Sequence, residues 1–191
     1  MTGPMRIREA REGDARGMAY AFVTSWRTAH RGQVPDHVLR SRTYEGSEAG
    51  WDNWFATRAS GGHEHERLYV AEDDGGIVGV TLGGPAQPPG ASPIADLYLL
   101  YVLPEYQGRG IGQRLVAAIA RHLAREGMES MWIRVLKVNA PARAFYEALG
   151  GRLLFEEQTE DEGVRMDQVV YEWPHIWTLA SADGADSERV P

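Results

Sequence analysis

Apolar residues recur along this chain at two spacings, and the switching between them sets the order of elements. Met5 and Ile7 alternate with Arg6 and Arg8, the period of a half-buried strand. Met18, Phe22, Trp26 and Ala29 then share one helical face, behind an Asp14 placed to cap it. Gly32 to Asp36 stops that helix. Pro35 resets the backbone, and a shorter helix through Val38 and Leu39 follows. Ser41 to Ala59 predicts another helix, with Tyr44, Trp51, Trp54 and Phe55 as its aromatic face. Leu68 to Glu72 and Ile77 to Leu82 are apolar strands around Asp73-Asp74-Gly75-Gly76, a tight hairpin signal. Gly83 to Gly90 is dominated by glycine and proline and predicts an exposed loop.

Ile94 to Leu103 is the longest strand candidate, with Ala95, Leu97, Leu99, Tyr101 and Leu103 on one face and Asp96 and Tyr98 on the other. Beyond Pro104 comes a glycine-rich turn, then a helix lined by Leu115, Val116, Ile119 and Leu123 that stops near Gly127. Met131 to Val135 forms a strand. Asn139 caps a short helix with Pro141 in its first turn, Phe145 and Leu149 as its anchors and Gly150 as its stop. Leu153-Leu154-Phe155 and Val164 to Trp173 close the pattern around the acidic turn Glu160 to Gly163. From Ala180 onward the residues are small and polar, and a disordered tail is expected over 180–191. Strand, helices, three strands, helix, strand, helix and two strands describe an α/β (α+β) chain with one mixed sheet flanked by helices, over 1–179.

Composition narrows the function. With 191 residues the length suits one domain, and a formal charge of −7 argues against a surface that coats nucleic acid. The sequence has no cysteine, so disulfides, thiolate metal sites and an acyl-cysteine intermediate are excluded. His63 and His65 lie in a glycine-bounded polar loop and read as solvated, so no metal is expected. No apolar run has the length of a signal peptide core or a membrane span, which points to the cytoplasm and away from membranes.

The glycine turn directs backbone N–H groups at the positive end of a helix toward whatever lies beyond the strand, and a phosphate is the expected guest. It lacks the Gly-Lys-Ser/Thr of a P-loop. The dinucleotide fingerprint fails too, because its last glycine would fall on Gln113 or Leu115. What remains is Gln107-Gly108-Arg109-Gly110-Ile111-Gly112 behind an apolar strand.

That turn, together with Tyr98 to Tyr106 before it, Asn139, and Ala144-Phe145-Tyr146-Glu147-Ala148-Leu149-Gly150, resembles the GNAT family of N-acetyltransferases, and the order of elements from Met5 to Trp173 fits it as well. The resemblance implies a mostly antiparallel sheet of six to seven strands, splayed between the fourth and fifth. It implies acetyl-CoA, its pyrophosphate on the N–H groups of Gly108 to Gly112, with Gln107, Arg109, Ile111 and Gln113 in the same cradle. The pantetheine arm would lie beside Leu100, Tyr101 and Val102, with Asn139 and Tyr146 also touching the cofactor.

On this reading Tyr146 protonates the leaving thiolate, as a phenol of pKa about 10 can at neutral pH. Asp96, eleven positions before Gln107, matches a strand carboxylate that serves as base in one branch of the family, and a water chain is the alternative. A second branch, acting on ribosomal protein, uses a glutamate five residues before the Asn; here Arg134 stands there. Trp26, His30, Tyr44, Trp51 and Trp54 would line the pocket for a small-molecule or peptide amine, although the same side chains suit a core. The amine would attack directly within a ternary complex. A silent acyl-CoA-binding sensor is the alternative function, and homodimers are common in the family.

Overall fold

The computed structural model describes residues 5–86 and 93–181. A seven-stranded sheet runs in the order β1-β2-β3-β4-β5-β7-β6. Its strands are β1 (Arg6–Glu9), β2 (Arg67–Asp73), β3 (Gly76–Pro85), β4 (Ile94–Val102), β5 (Ser130–Leu136), β6 (Arg152–Asp161) and β7 (Val164–Trp173). The helices are α1 (Ala15–Ala29), α2 (Asp36–Ser41), α3 (Tyr44–Ala59), α4 (Ile111–Arg125), α5 (Ala140–Ala148) and α6 (Trp177–Ala180). Every neighbouring pair of strands is antiparallel except β4 and β5, which run parallel. A parallel neighbour needs a crossover, and α4 supplies it.

Alternation along β3 sorts the two faces of the sheet. A Cβ on Gly79 would meet Leu115 Cδ1 of α4 at 3.1 Å, whereas the next residue, Val80, shares a core cluster with Met18 of α1 and with Trp51 and Trp54 of α3. The β2–β3 register shifts between Ala71↔Gly79 and Glu72↔Ile77, which leaves Val78 as an extra residue of β3 and bends the strand there. Helix α4 thus lies close against β3, and its contacts extend over β1, β2 and β4, while α1 contacts α3, β3 and β4.

Four expectations change. Asp14 stands at the N-cap of α1, yet its carboxylate makes no capping bond. It accepts instead from Arg8 at 2.6 and 3.0 Å and from the Arg11 N–H at 2.9 Å. Gly83 to Pro85 belong to β3 rather than to a loop, because a bare backbone is needed there: a Cβ on Gly83 would sit 2.9 Å from the Asp96 carbonyl oxygen. The rest of that predicted loop, 87–90, lies outside the described residues. In α5 the buried side chain is Tyr146, and the expected anchors Phe145 and Leu149 are only partly buried. Ala180 ends α6 instead of opening a tail, and 182–191 lie outside the described residues.

Arg8 joins β1 to α1 and β2, since it also donates to Glu72 at 2.7 Å. Burial by itself would raise the Asp14 carboxyl, but Arg8 and the Arg11 N–H outweigh it and hold it below its ordinary value. Arg8 likewise lowers Glu72. Carboxyls lowered in the folded state add stability above the ordinary carboxylate range and lose it as acid protonates them. Arg8→Met should therefore lower the unfolding free energy by about 1–2 kcal/mol at neutral pH. Urea unfolding repeated in acid should find the two proteins converging.

Candidate active site

β4 and β5 pair over four positions, from Ile94↔Ser130 to Leu97↔Ile133, and then part. Beyond that point β4 pairs with β3 alone and β5 with β7 alone. Leu103 N–H donates to Val78 O at 2.8 Å, so the antiparallel alternation turns the backbone groups of Tyr101 and Leu99 toward β3. Leu100 and Val102 therefore turn theirs into the opening. The Val102 carbonyl is met there by Gln107, whose Nε2 donates at 2.9 Å and ties the glycine turn to the strand end.

The turn itself is built on backbone conformation. Gly108 and Gly110 have φ of 72° and 75°, a region that disfavours any side chain, with nothing within 4 Å of a Cβ at either position. Gly110 caps α4 without a side-chain bond, so the first-turn N–H groups of Ile111 and Gly112 have no acceptor inside the helix. Gly112 serves a different need: a Cβ there would lie 3.2 Å from the Phe145 ring and 3.9 Å from Leu100. Its bareness lets α5 approach α4 across the mouth of the opening. Arg109 is folded back, donating to the Glu105 carbonyl at 2.8 Å with its guanidinium 5.1 Å from the Tyr106 ring centroid. Gln113 follows in the first turn of α4, half-buried.

Across the opening, Asn139 caps α5, its Oδ1 accepting from Ala142 N–H at 3.2 Å. Tyr146 is held in an aromatic nest, 5.2 Å from Phe145, 6.1 Å from Trp173 and 6.5 Å from Tyr171 between ring centroids. Among the described residues nothing hydrogen-bonds its hydroxyl, and burial pushes that phenol above its ordinary value. Tyr101 is raised by the same cause, and next by Tyr146. The Tyr101 ring meets Phe22 edge-on at 5.1 Å.

Asp96 is 5% exposed and lies in the paired part of the sheet, opposite Trp132 and one residue before the last β4–β5 pair. Arg134 donates to it and also to Glu157 at 2.8 Å. Burial raises the Asp96 carboxyl, and Arg134 offsets only part of that.

The five aromatic candidates divide. Trp51 meets Phe22 at 6.4 Å, and Trp26 joins Phe22, Tyr101 and Leu136 in one cluster, so both stand near Tyr101. His30 lies tilted against Trp26 at 4.9 Å; its Nδ1–H donates to the Trp26 carbonyl at 2.8 Å, and burial lowers its pKa. Tyr44 points elsewhere, stacked on Tyr20 at 5.9 Å with 38% exposure. Trp54 is bound to Glu66 at 2.8 Å and stacked on His63. Two neighbours of the opening escaped the sequence reading. Phe22 looked like core, and Arg42 carries no motif; its guanidinium lies 5.3 Å from the Trp26 ring and binds Asp161 at 2.6 Å, a partner 119 residues away.

Comparison with known proteins agrees with this geometry. The model of the acetyltransferase (GNAT) family matches residues 23–151. An uncharacterized N-acetyltransferase, YuaI of Bacillus subtilis (strain 168), is 32% identical over 174 residues, covering 91% of this chain and 95% of that protein. A mycothiol acetyltransferase of Saccharomonospora viridis is 35% identical over 108 residues, and the match spans only 33% of that protein. Among solved structures, PaiA N-acetyltransferase from Thermoplasma acidophilum in complex with coenzyme A superposes with a TM-score of 0.73 at 18% identity, over 90% of this chain and 99% of that one. The chain belongs to the GNAT acetyltransferase family.

Because Gly110 is left-handed, Gly110→Ala should cost about 1–2 kcal/mol of stability through backbone strain alone. Denaturant unfolding measures it, and a loss well below that range would mean the turn relaxes freely.

Proposed function

We propose that this chain transfers the acetyl group of acetyl-CoA to a primary amine of a small molecule or peptide, by direct attack within a ternary complex in the cytoplasm. One observation carries the reading: the parting of β4 and β5 after Leu97 exposes strand backbone beside an uncapped, glycine-built helix start. Such groups need partners, and a ligand with a diphosphate at one end and amide groups along its arm supplies them. Family membership supports acetyl transfer, and the coenzyme A held by the PaiA structure supports the carrier.

The residues present fit that carrier. Gly108 and Gly110 leave open space above their backbone, so Gln107, Gly108, Arg109, Gly110, Ile111, Gly112 and Gln113 would hold the pyrophosphate. Leu100, Tyr101 and Val102 would border the pantetheine arm, with Asn139 and Tyr146 opposite. When bound, acetyl-CoA supplies an acyl group activated by its thiol leaving group. Strand N–H groups of Leu100 and Val102 serve to polarise an acyl carbonyl, since among the described residues a side chain engages only the Val102 carbonyl there.

Tyr146 Oη keeps its proton across neutral pH because burial disfavours the phenolate, and it delivers that proton to the departing sulfur. The Asp96 carboxylate removes the proton of the amine, with Arg134 tempering its basicity. Trp26, His30 and Trp51 flank the acceptor, and Trp54 packs in one core cluster with Trp51.

Calorimetry with acetyl-CoA tests the carrier, and no heat at millimolar ligand would end this reading. Tyr146→Phe should slow CoA release about 100-fold with little change in acetyl-CoA affinity; an unchanged rate removes Tyr146 as the acid. Asp96→Asn and Arg134→Gln separate base from scaffold. If Asp96 is the base, only its variant should regain activity as pH rises and the amine deprotonates unaided. Parallel pH profiles for the two variants would reduce Asp96 to an anchor for Arg134.

A further inference from the structure

β6 forms one edge of the sheet, with β7 as its single neighbouring strand. Strand edges are commonly guarded by charge, and the second half of β6 is, through Glu156, Glu157, Glu160 and Asp161. Its first half is not. Leu153, Leu154 and Phe155 are 54%, 41% and 38% exposed, three large apolar side chains in a row. A contiguous apolar patch on an unpaired edge marks a surface that another chain covers.

A bulge shapes the patch. Leu153 pairs with Tyr171 and Phe155 with Val170, so Leu154 is an extra residue of β6. Paired residues share a face, which puts Leu153 on the side of Tyr171, where α5 packs through the bond from Tyr171 to Glu147. Phe155 falls on the opposite side and meets the Trp132 ring edge-on at 5.8 Å. With Leu154 between them, the apolar surface wraps the edge instead of lying on one face. Such a surface suits a partner that approaches edge-on.

Charge identifies that partner. Arg152-Leu153-Leu154-Phe155-Glu156 reads as a cation, three apolar residues and an anion, a segment complementary to itself reversed. An antiparallel copy about a two-fold axis at Leu154 sets Arg152 against Glu156 twice, Leu153 against Phe155 twice, and Leu154 against Leu154. Moving the axis to Phe155 would set Leu153 and Leu154 against Glu157 and Glu156. A parallel copy would place like charges together. Partners within the chain leave both end charges usable: Arg152 stands 3.8 Å from Glu172 with its side chain 67% exposed, and Lys137 binds Glu156 through Oε2 at 2.6 Å. Farther along, Glu157 accepts from Arg134 and Asp161 from Arg42.

We infer that two copies of this chain associate through β6, edge to edge, about a two-fold axis at Leu154. Beyond Glu156 each strand runs past the start of the other, so the two acidic halves point apart and stay in water. Five residues a side make a small contact, and the dimer is therefore a weak, reversible one. Burial of Leu153, Leu154 and Phe155 drives it, while the two ion pairs fix its register. β7 stands between β6 and β5, and none of the five residues belongs to the opening, so the dimer does not depend on acetyl transfer.

Sedimentation velocity on the full chain, from micromolar to millimolar concentration, should show a monomer–dimer equilibrium. A chain that stays monomeric throughout would overturn the contact and leave the patch to a different protein. Leu154→Lys, which sets two ammonium groups together at the axis, should weaken the dimer at least about tenfold. Arg152→Glu and Glu156→Arg, both at exposed positions, should each do the same, because like charges then meet twice. Mixed in equal amounts, those two variants should regain wild-type affinity, since each carries the charge that the other lacks. Thermal melting confirms that all three variants are folded. A dimer indifferent to Leu154→Lys would place the interface elsewhere, and charge variants that dimerise as wild type, or fail to recover on mixing, would overturn the register.

Discussion

The site depends on a set of hydrogen bonds that the sheet does not make. β4 and β5 pair up to Leu97 and Ile133 and no further, although both strands continue, β4 to Val102 and β5 to Leu136. An unpaired backbone inside a protein is costly unless something else answers it. Here three features keep the strands apart. Gln107 occupies the Val102 carbonyl, Phe145 sits against the bare Gly112, and the Tyr146 ring packs edge-on against Phe145 behind it. The opening is therefore enforced by side chains from elements on either side of it, and a glycine-built helix start lies at its mouth.

Charge is arranged around the closed end of that opening. Asp96, Arg134 and Glu157 form a chain across β4, β5 and β6, with the buried Asp96 at its inner end. An isolated carboxylate at that depth would be expensive, and Arg134 makes it tolerable without fully reversing the cost of burial. The same arginine stands where the sequence departs from one branch of its family. The departure and the ion pair are thus two aspects of one substitution: a cation on β5 that serves Asp96.

The two flanks of α4 differ in kind. Toward α5 the helix presents Gly112 and apolar residues, and backbone N–H groups carry its polarity. Toward β1 and β2 it presents arginines over Tyr69 and His122, and side chains carry it. One helix can carry both because Ile111, Leu115, Ile119 and Leu123 hold its remaining face in the core.

Periodicity along the chain was enough to order the strands and helices, to find the glycine turn and to exclude two nucleotide motifs by register, because those features are local. Hydrophobic spacing reports burial within an element, and a left-handed turn needs glycine wherever it occurs. The same local signals misjudged Asp14, whose carboxylate is drawn from its helix by Arg8, and Gly83, whose place in β3 follows from close contact with Asp96. They named Phe145 as the anchor of α5 where Tyr146 is the buried ring. They grouped five aromatic residues that the fold divides, placing Trp26 and Trp51 near Tyr101, His30 against Trp26, and tying Trp54 to Glu66. Partners such as Asp161 for Arg42, 119 residues apart, leave no trace in spacing. Sequence by itself determined which elements form and where backbone must stay bare. Which side chains meet across the opening was decided by tertiary packing, since contact between distant segments depends on how whole elements stack.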